Sequence, residues 1–373
     1  MSRVSLTFLW ETPARAIPVF SVFIPFFGCP RRCVFCSQHD QTGQQASPLD
    51  EILARAAADL HARRAQGRPP VELAFYGGTF TALAPRDLDA CLDMADSLRR
   101  DGCITRFRCS TRPDRLDAAL LARLRRHGCR TVELGIQSFS DTALQASERH
   151  YSGRQATEAC RLVRDAGLAL GVQLLPGMPG HQPEDFLADV RRALDLGADM
   201  LRFYPCLVLA GTELARRWQQ GLYAPWPLPR TLSLLARGWL YARRAGVPVI
   251  RMGLAPEPGM EAALLAGPAD RNLGGRVLGR ALWLHVCACL LRTRGDDAAR
   301  SEVRAAALLD ALLAGGEAPA GLPRAQALYL PRSCQGFFRG PGDELGTAWA
   351  ALGITRRNLV WTAGQAASLH LDA

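Results

Sequence analysis

The chain has 373 residues, 48% hydrophobic and 21% charged, a globular composition whose length predicts about two domains. Its 45 basic residues against 35 acidic ones give a formal charge of +10, and all of the basic residues are arginine. A chain without lysine cannot form the Schiff base of a pyridoxal-phosphate enzyme or supply the lysine of a Walker phosphate loop, so both classes are excluded.

From Val19 to Leu254 short β-rich runs alternate with amphipathic stretches. The predicted strands are Phe20–Ile24, Val71–Tyr76, Ile104–Cys109, Thr131–Leu134, Ala169–Leu175, Met200–Tyr204 and Val247–Met252. Between them the spacing predicts helices over Pro48–Ala65, Pro85–Arg100, Asp117–His127, Arg154–Ala166, Pro183–Leu196 and Leu228–Arg244. Pro85 and Pro183 are start signals, and Gly128, Gly167 and Gly197 are stop signals. Repeated βα units predict a parallel sheet. No G-x-G-x-x-G follows the first strand, so the prediction is a full or partial (β/α)6-type TIM-like barrel, with chemistry at the C-terminal ends of its strands. Beyond Gly259 the strand signals stop. We therefore expect a barrel core over residues 1–258 and a mostly helical appendage over residues 259–373.

No stretch reaches the ~18 consecutive apolar residues of a spanning helix. The longest candidate, Ala16 to Pro30, contains three prolines, and the apolar run before Glu11 is too short for a secretory leader. A cytoplasmic location is expected, with neither membrane nor DNA as partner. In a reducing compartment closely spaced cysteines point to metal rather than disulfides.

Such cysteines stand directly after the first strand, where Cys29, Cys33 and Cys36 have the spacing C-x3-C-x2-C. Three thiolates within eight residues suit zinc or an iron–sulfur cluster. A structural zinc site wants a fourth ligand, for which His39 is the one near candidate. A four-iron cluster would instead keep one iron without a protein ligand, open to a small molecule. The other nine cysteines are expected to fill core positions.

The triplet, with Phe35 just before its third cysteine, resembles the signature of the radical S-adenosylmethionine superfamily. Further motifs follow in register: FYGGTFTAL (Phe75–Leu83), ELGIQSFSDTAL (Glu133–Leu144), LLPGMPG (Leu174–Gly180) and RFYPCLVLAGTELA (Arg202–Ala215). Over about Pro18 to Gly267 the run is similar to the core shared by the elongator catalytic subunit and its shorter bacterial relatives, and more loosely to oxygen-independent coproporphyrinogen oxidase. The resemblance implies a 4Fe–4S cluster on Cys29, Cys33 and Cys36 and S-adenosylmethionine as cofactor. It also implies an external electron donor of flavodoxin or ferredoxin type. Gly77, Gly78 and Thr79 would lie against the methionine amine, and Phe35 against adenine. Ser110, Gln137, Arg149 and Gln173 match positions that touch the nucleoside, the amine or the carboxylate. The catalytic group on the substrate side is unassigned.

Elongator relatives act on transfer RNA and carry an acetyltransferase domain. Here Arg271–Arg276 approaches an acetyl-CoA loop but ends in arginine, so acetyl transfer is not expected. Residues 99–130 hold ten arginines against three aspartates, a candidate face for tRNA or other RNA. The alternative to a radical enzyme is a non-catalytic, metal-stabilised RNA-binding protein.

Overall fold

The computed structural model describes residues 4–9, 17–37, 47–254, 258–320, 322, 324–364 and 366–371. In chain order its main elements are β1 (Val4–Leu9), β2 (Val19–Phe23), α1 (Leu49–Ala65), β3 (Val71–Tyr76), α2 (Pro85–Arg100), β4 (Ile104–Thr111), α3 (Ala118–Arg126) and β5 (Cys129–Gln137). Next come α4 (Asp141–Ala146), α5 (Gly153–Asp165), β6 (Ala169–Leu174), α6 (Pro183–Asp195), β7 (Met200–Phe203), β8 (Val208–Leu209), α7 (Glu213–Gln219), α8 (Leu228–Arg244) and β9 (Val249–Met252). The chain continues through α9 (Pro258–Ala263), β10 (Leu264–Ala266), α10 (Leu273–Arg292), α11 (Ala298–Leu313), β11 (Ala325–Pro331), α12 (Gly346–Ala351), β12 (Leu359–Thr362) and β13 (Ala366–Leu371).

These elements form two compact units. The barrel unit comprises residues 16–227 and 241–271. Its sheet runs β2-β3-β4-β5-β6-β7-β9, parallel throughout, and the two end strands are unpaired with each other, so the barrel is partial and open. All seven predicted strands are present. β3 is buried from Val71 to Phe75, with helices on one face and the barrel interior on the other, whereas β4 and β5 interleave polar and charged residues with apolar ones. Each covering helix turns one stripe inward, as α2 does with Leu88, Cys91, Leu92, Ala95 and Leu98. Helix entries are fixed locally. Asp117 accepts from Leu120 N at 2.8 Å ahead of α3, and Ser152 and Gln155 form a reciprocal capping box ahead of α5.

The second unit comprises residues 1–15, 228–240 and 272–373. Helices predominate in it, but the expectation that strands end near Gly259 needs correction. β11, β12 and β13 join β1 in a four-stranded sheet ordered β1-β13-β11-β12, and β10 pairs with β8 inside the barrel unit. The signal was missed because β13 finds its antiparallel partner in β1, at the opposite end of the chain, and no local pattern records that pairing. By length and composition α10 is apolar enough to cross a membrane. It is instead a core helix, with Val277, Leu282, Trp283, Val286 and Leu290 fully buried.

Candidate active site

The site lies at the C-terminal ends of the barrel strands, in a cavity of about 470 Å³. Cys29, Cys33 and Cys36 line one part of it, on the loop that leaves β2. The loop is fastened to the turn after β3. Thr79 N donates to Phe27 O at 2.7 Å, and Thr79 Oγ1 lies 3.3 Å from Cys29 Sγ. Two glycines make this approach possible. A Cβ on Gly78 (φ +52°) would stand 2.2 Å from Phe27 O, and one on Gly28 (φ +69°) 2.3 Å from Thr79 O. The Gly77–Gly78 pair thus serves the cysteine loop as well as any bound molecule. On the loop's other flank Leu214 N, at the start of α7, donates to Val34 O at 2.8 Å. Phe35 lines the cavity while packing against the cluster of Leu175, Met178 and Cys206.

Cys33 meets two guanidinium groups. Arg149 Nη1 lies 2.9 Å from its sulfur and Arg112 Nη1 3.7 Å. Arg149 is buried, with its remaining nitrogens donating to Tyr151 Oη at 2.9 Å and Gly135 O at 2.7 Å. Burial opposes its charge, but the Tyr151 oxygen and the Cys33 sulfur outweigh that and hold the guanidinium protonated. The residues on either side of Arg149, Glu148 and His150, have φ of +53° and +56°, so the backbone is strained where it delivers this group. Arg112 forks onto Asp114 and also donates to Arg149 O at 2.6 Å. Burial raises the Cys29 thiol above its ordinary value, and the Thr79 hydrogen bond only partly offsets this.

The barrel interior supplies the opposite wall. Ser110, Gln137 and Gln173 all line the cavity, and Gln173 Nε2 donates to Ser110 Oγ at 3.1 Å and to Glu133 Oε2 at 3.2 Å. Gln137 has φ +66° at an irregularity in the β5–β6 register, which turns it out of the strand. Below them Glu133, 1% exposed, accepts from Arg202 Nε at 2.6 Å, Arg108 Nη1 at 3.2 Å and Tyr76 Oη at 2.9 Å. Burial works against the Glu133 charge, but Arg202 and Arg108 hold its carboxyl below the usual range.

Each sequence-predicted site residue (Cys29, Cys33, Phe35, Cys36, Gly77, Gly78, Thr79, Ser110, Gln137, Arg149 and Gln173) therefore lines this one cavity. His39 lies outside the described residues. The sequence reading missed Arg112, Glu133, Tyr76, Arg202 and Arg251. The signal for Glu133 was a carboxylate set between Val132 and Leu134 in a β-rich run.

The basic stretch at 99–130 does not form a single face. Arg99, Arg106, Arg108, Arg112, Arg115 and Arg123 make ion pairs with carboxylates. The remaining Arg100, Arg125, Arg126 and Arg130 sit near the N-terminal ends of β4 and β5, away from the cavity mouth.

No three His, Cys, Asp or Glu side chains among the described residues are gathered tightly enough to hold a single metal ion. The three thiols nevertheless share one cavity. A zinc ion draws its sulfurs onto one atom at about 2.3 Å, whereas an iron–sulfur cluster spreads them over different irons, and the donor set fits the latter.

A parallel, open βα barrel that presents three thiols beside a polar cavity at its strand ends is the class of fold suited to carrying an iron–sulfur cluster. Two family models match the chain, the Radical SAM superfamily over residues 23–193 and the Radical_SAM C-terminal domain over residues 198–280. A tRNA uridine(34) acetyltransferase of Dehalococcoides mccartyi (strain CBDB1) is 30% identical over 269 residues, covering 63% of this chain and 57% of the relative. The heme chaperone HemW of Mycobacterium tuberculosis (strain ATCC 25618 / H37Rv) is 30% identical over 232 residues, covering 60% of this chain and 58% of the relative. The solved structure of Methanocaldococcus infernus Elp3 with an N-terminal deletion shares the fold, with a TM-score of 0.54 at 23% identity over 70% of this chain and 62% of that one. The chain spans a little over half the length of the curated relatives it matches. It belongs to the radical S-adenosylmethionine superfamily, with an elongator-like core. The cofactors of that family are a 4Fe–4S cluster and S-adenosylmethionine.

Proposed function

We propose that Cys29, Cys33 and Cys36 would hold a 4Fe–4S cluster beside S-adenosylmethionine, and that the cluster would supply the one-electron chemistry by which the cofactor yields methionine and a 5′-deoxyadenosyl radical able to take a hydrogen atom from substrate. The observation that carries this reading is the placement of all three thiols in the cavity lined by Gly77, Gly78, Thr79, Ser110, Gln137 and Gln173. Arg149 and Arg112 set positive charge against Cys33, offsetting the negative charge of the thiolates. Thr79, Ser110, Gln137 and Gln173 offer hydroxyl and amide groups to the polar ends of the cofactor, and Phe35 an aromatic face. The protein's part is to orient these groups and keep water from the reacting atoms. An external flavodoxin- or ferredoxin-type protein would supply the electron. A tRNA base is the candidate substrate, because relatives are named tRNA uridine(34) acetyltransferases. The exposed Arg31 and Arg32 at the cavity are the side chains suited to RNA phosphates.

Anaerobic reconstitution should give a brown protein with about four irons per chain, and dithionite with S-adenosylmethionine should release 5′-deoxyadenosine. The triple variant Cys29→Ala, Cys33→Ala, Cys36→Ala should lose both iron and product. A colourless zinc protein that binds RNA and forms no deoxyadenosine overturns the proposal in favour of a metal-stabilised RNA-binding protein.

A further inference from the structure

Six arginines line the cavity (Arg31, Arg32, Arg112, Arg149, Arg202 and Arg251), and no aspartate or glutamate does among the described residues. Arg112 is neutralised by Asp114, Arg149 serves Cys33, and Arg202 is bound to Glu133. Arg251 differs from these. It is half-buried on β9, its Nε donates to Gly253 O at 3.0 Å, and it forms no ion pair with a carboxylate of the described residues.

The sheet register sets Arg251 beside Arg202, and Arg202 beside Gln173. Arg202 reaches Tyr76 Oη at 2.6 Å and Tyr204 Oη at 3.2 Å, and both tyrosines line the cavity. In this layer Arg106, Arg108 and Arg202 pair with Glu72 and Glu133, and Arg251 pairs with neither among the described residues. The two buried carboxylates are thus already shared among three guanidiniums, and the half-buried Arg251 beside them adds positive charge that neither answers. Such a surplus is costly unless an anion answers it, and a guanidinium fork matches an oxyanion.

We infer that the substrate carries an oxyanion, a carboxylate or a phosphate, seated against Arg251 beside the Arg202–Tyr76–Tyr204 group. The β9 end of the sheet would thereby anchor the substrate, while the loop after β2, at the other end of the strand order, holds the cysteines. The inference rests on the radical-enzyme reading, because it names the substrate class of that same site.

The test is calorimetric titration of the anaerobically reconstituted protein with inorganic phosphate and, separately, with acetate. Saturating S-adenosylmethionine is present and no reductant is added, so the cofactor's own carboxylate is already placed. Wild type should bind one or both probes saturably at fixed ionic strength. Arg251→Gln should weaken binding at least about tenfold, the loss expected for one charge-assisted contact. Arg251→Lys should recover part of it, and Arg126→Gln, on the far side of the barrel, should bind as wild type does. Binding of phosphate alone assigns a phosphate-bearing substrate, and binding of acetate alone a carboxylate-bearing one. No saturable binding by wild type, or equal binding by wild type and Arg251→Gln at matched iron content, overturns the inference. Release of 5′-deoxyadenosine by the same wild-type preparation tests the underlying reading separately.

Discussion

Glu133 shows how much a single side chain holds at this site. Removing its charge would leave Arg108 and Arg202 buried without their shared partner, so Glu133→Gln should cost about 3–5 kcal/mol, read from urea unfolding under anaerobic conditions. The sign of the pH dependence follows from its depressed carboxyl. The contribution is complete above the unfolded-state value of about 4.3 and is lost as pH falls through the lower folded-state value. Wild type should therefore lose stability on acidification below that range by more than Glu133→Gln does. Gly78 is the second such residue. An alanine there would meet Phe27 O and Ile24 O at positive φ, so Gly78→Ala should cost at least about 1 kcal/mol and lower the iron bound after reconstitution. Gly336→Ala, with open space around it, should leave iron content unchanged. The sequence brought to notice residues that all line one cavity, but neither their pairings nor Tyr76, Arg112, Glu133 and Arg202 beside them. The resemblance set Arg149 among the cofactor contacts, and the structure adds a contact of its guanidinium with Cys33.

Among the elements, the predicted barrel strands were readable because short β-rich runs alternate with amphipathic helices that carry start and stop residues such as Pro85, Pro183, Gly128 and Gly167. The capping box of Ser152 and Gln155, which the sequence reading did not single out, sets α5 directly after the strained segment that carries Arg149. Ser152→Ala should lower stability by about 1 kcal/mol, measurable as a shift in the urea midpoint, because an orphan helix N–H loses its acceptor. The elements that escaped notice are short or non-locally paired. β8 and β10 hold two and three residues and exist through each other, and β13 exists through β1.

For the whole molecule, the densest basic stretch, residues 99–130, is not gathered into one surface: Arg108 and Arg112 are buried while others lie outside. Six of the ten arginines in residues 99–130 are tied up in ion pairs, and the other four lie toward the strand N-termini. If RNA presents a base to the cavity, Arg31→Gln with Arg32→Gln should weaken binding and reduce the log–log salt slope by up to ~1.8. The triple change of Arg125, Arg126 and Arg130 to Gln should leave both within twofold. Filter binding at several salt concentrations measures each outcome.

The sequence by itself determined the barrel class, the three thiols and the cavity residues nearest them, because local periodicity and short-range spacing encode these. Tertiary structure decided which arginines are neutralised, which one on β9 is left to face the cavity, and that the two ends of the chain share a sheet. Those outcomes depend on strand register and on contacts between residues far apart in the chain, where charge and hydrogen-bond partners are chosen by proximity in space.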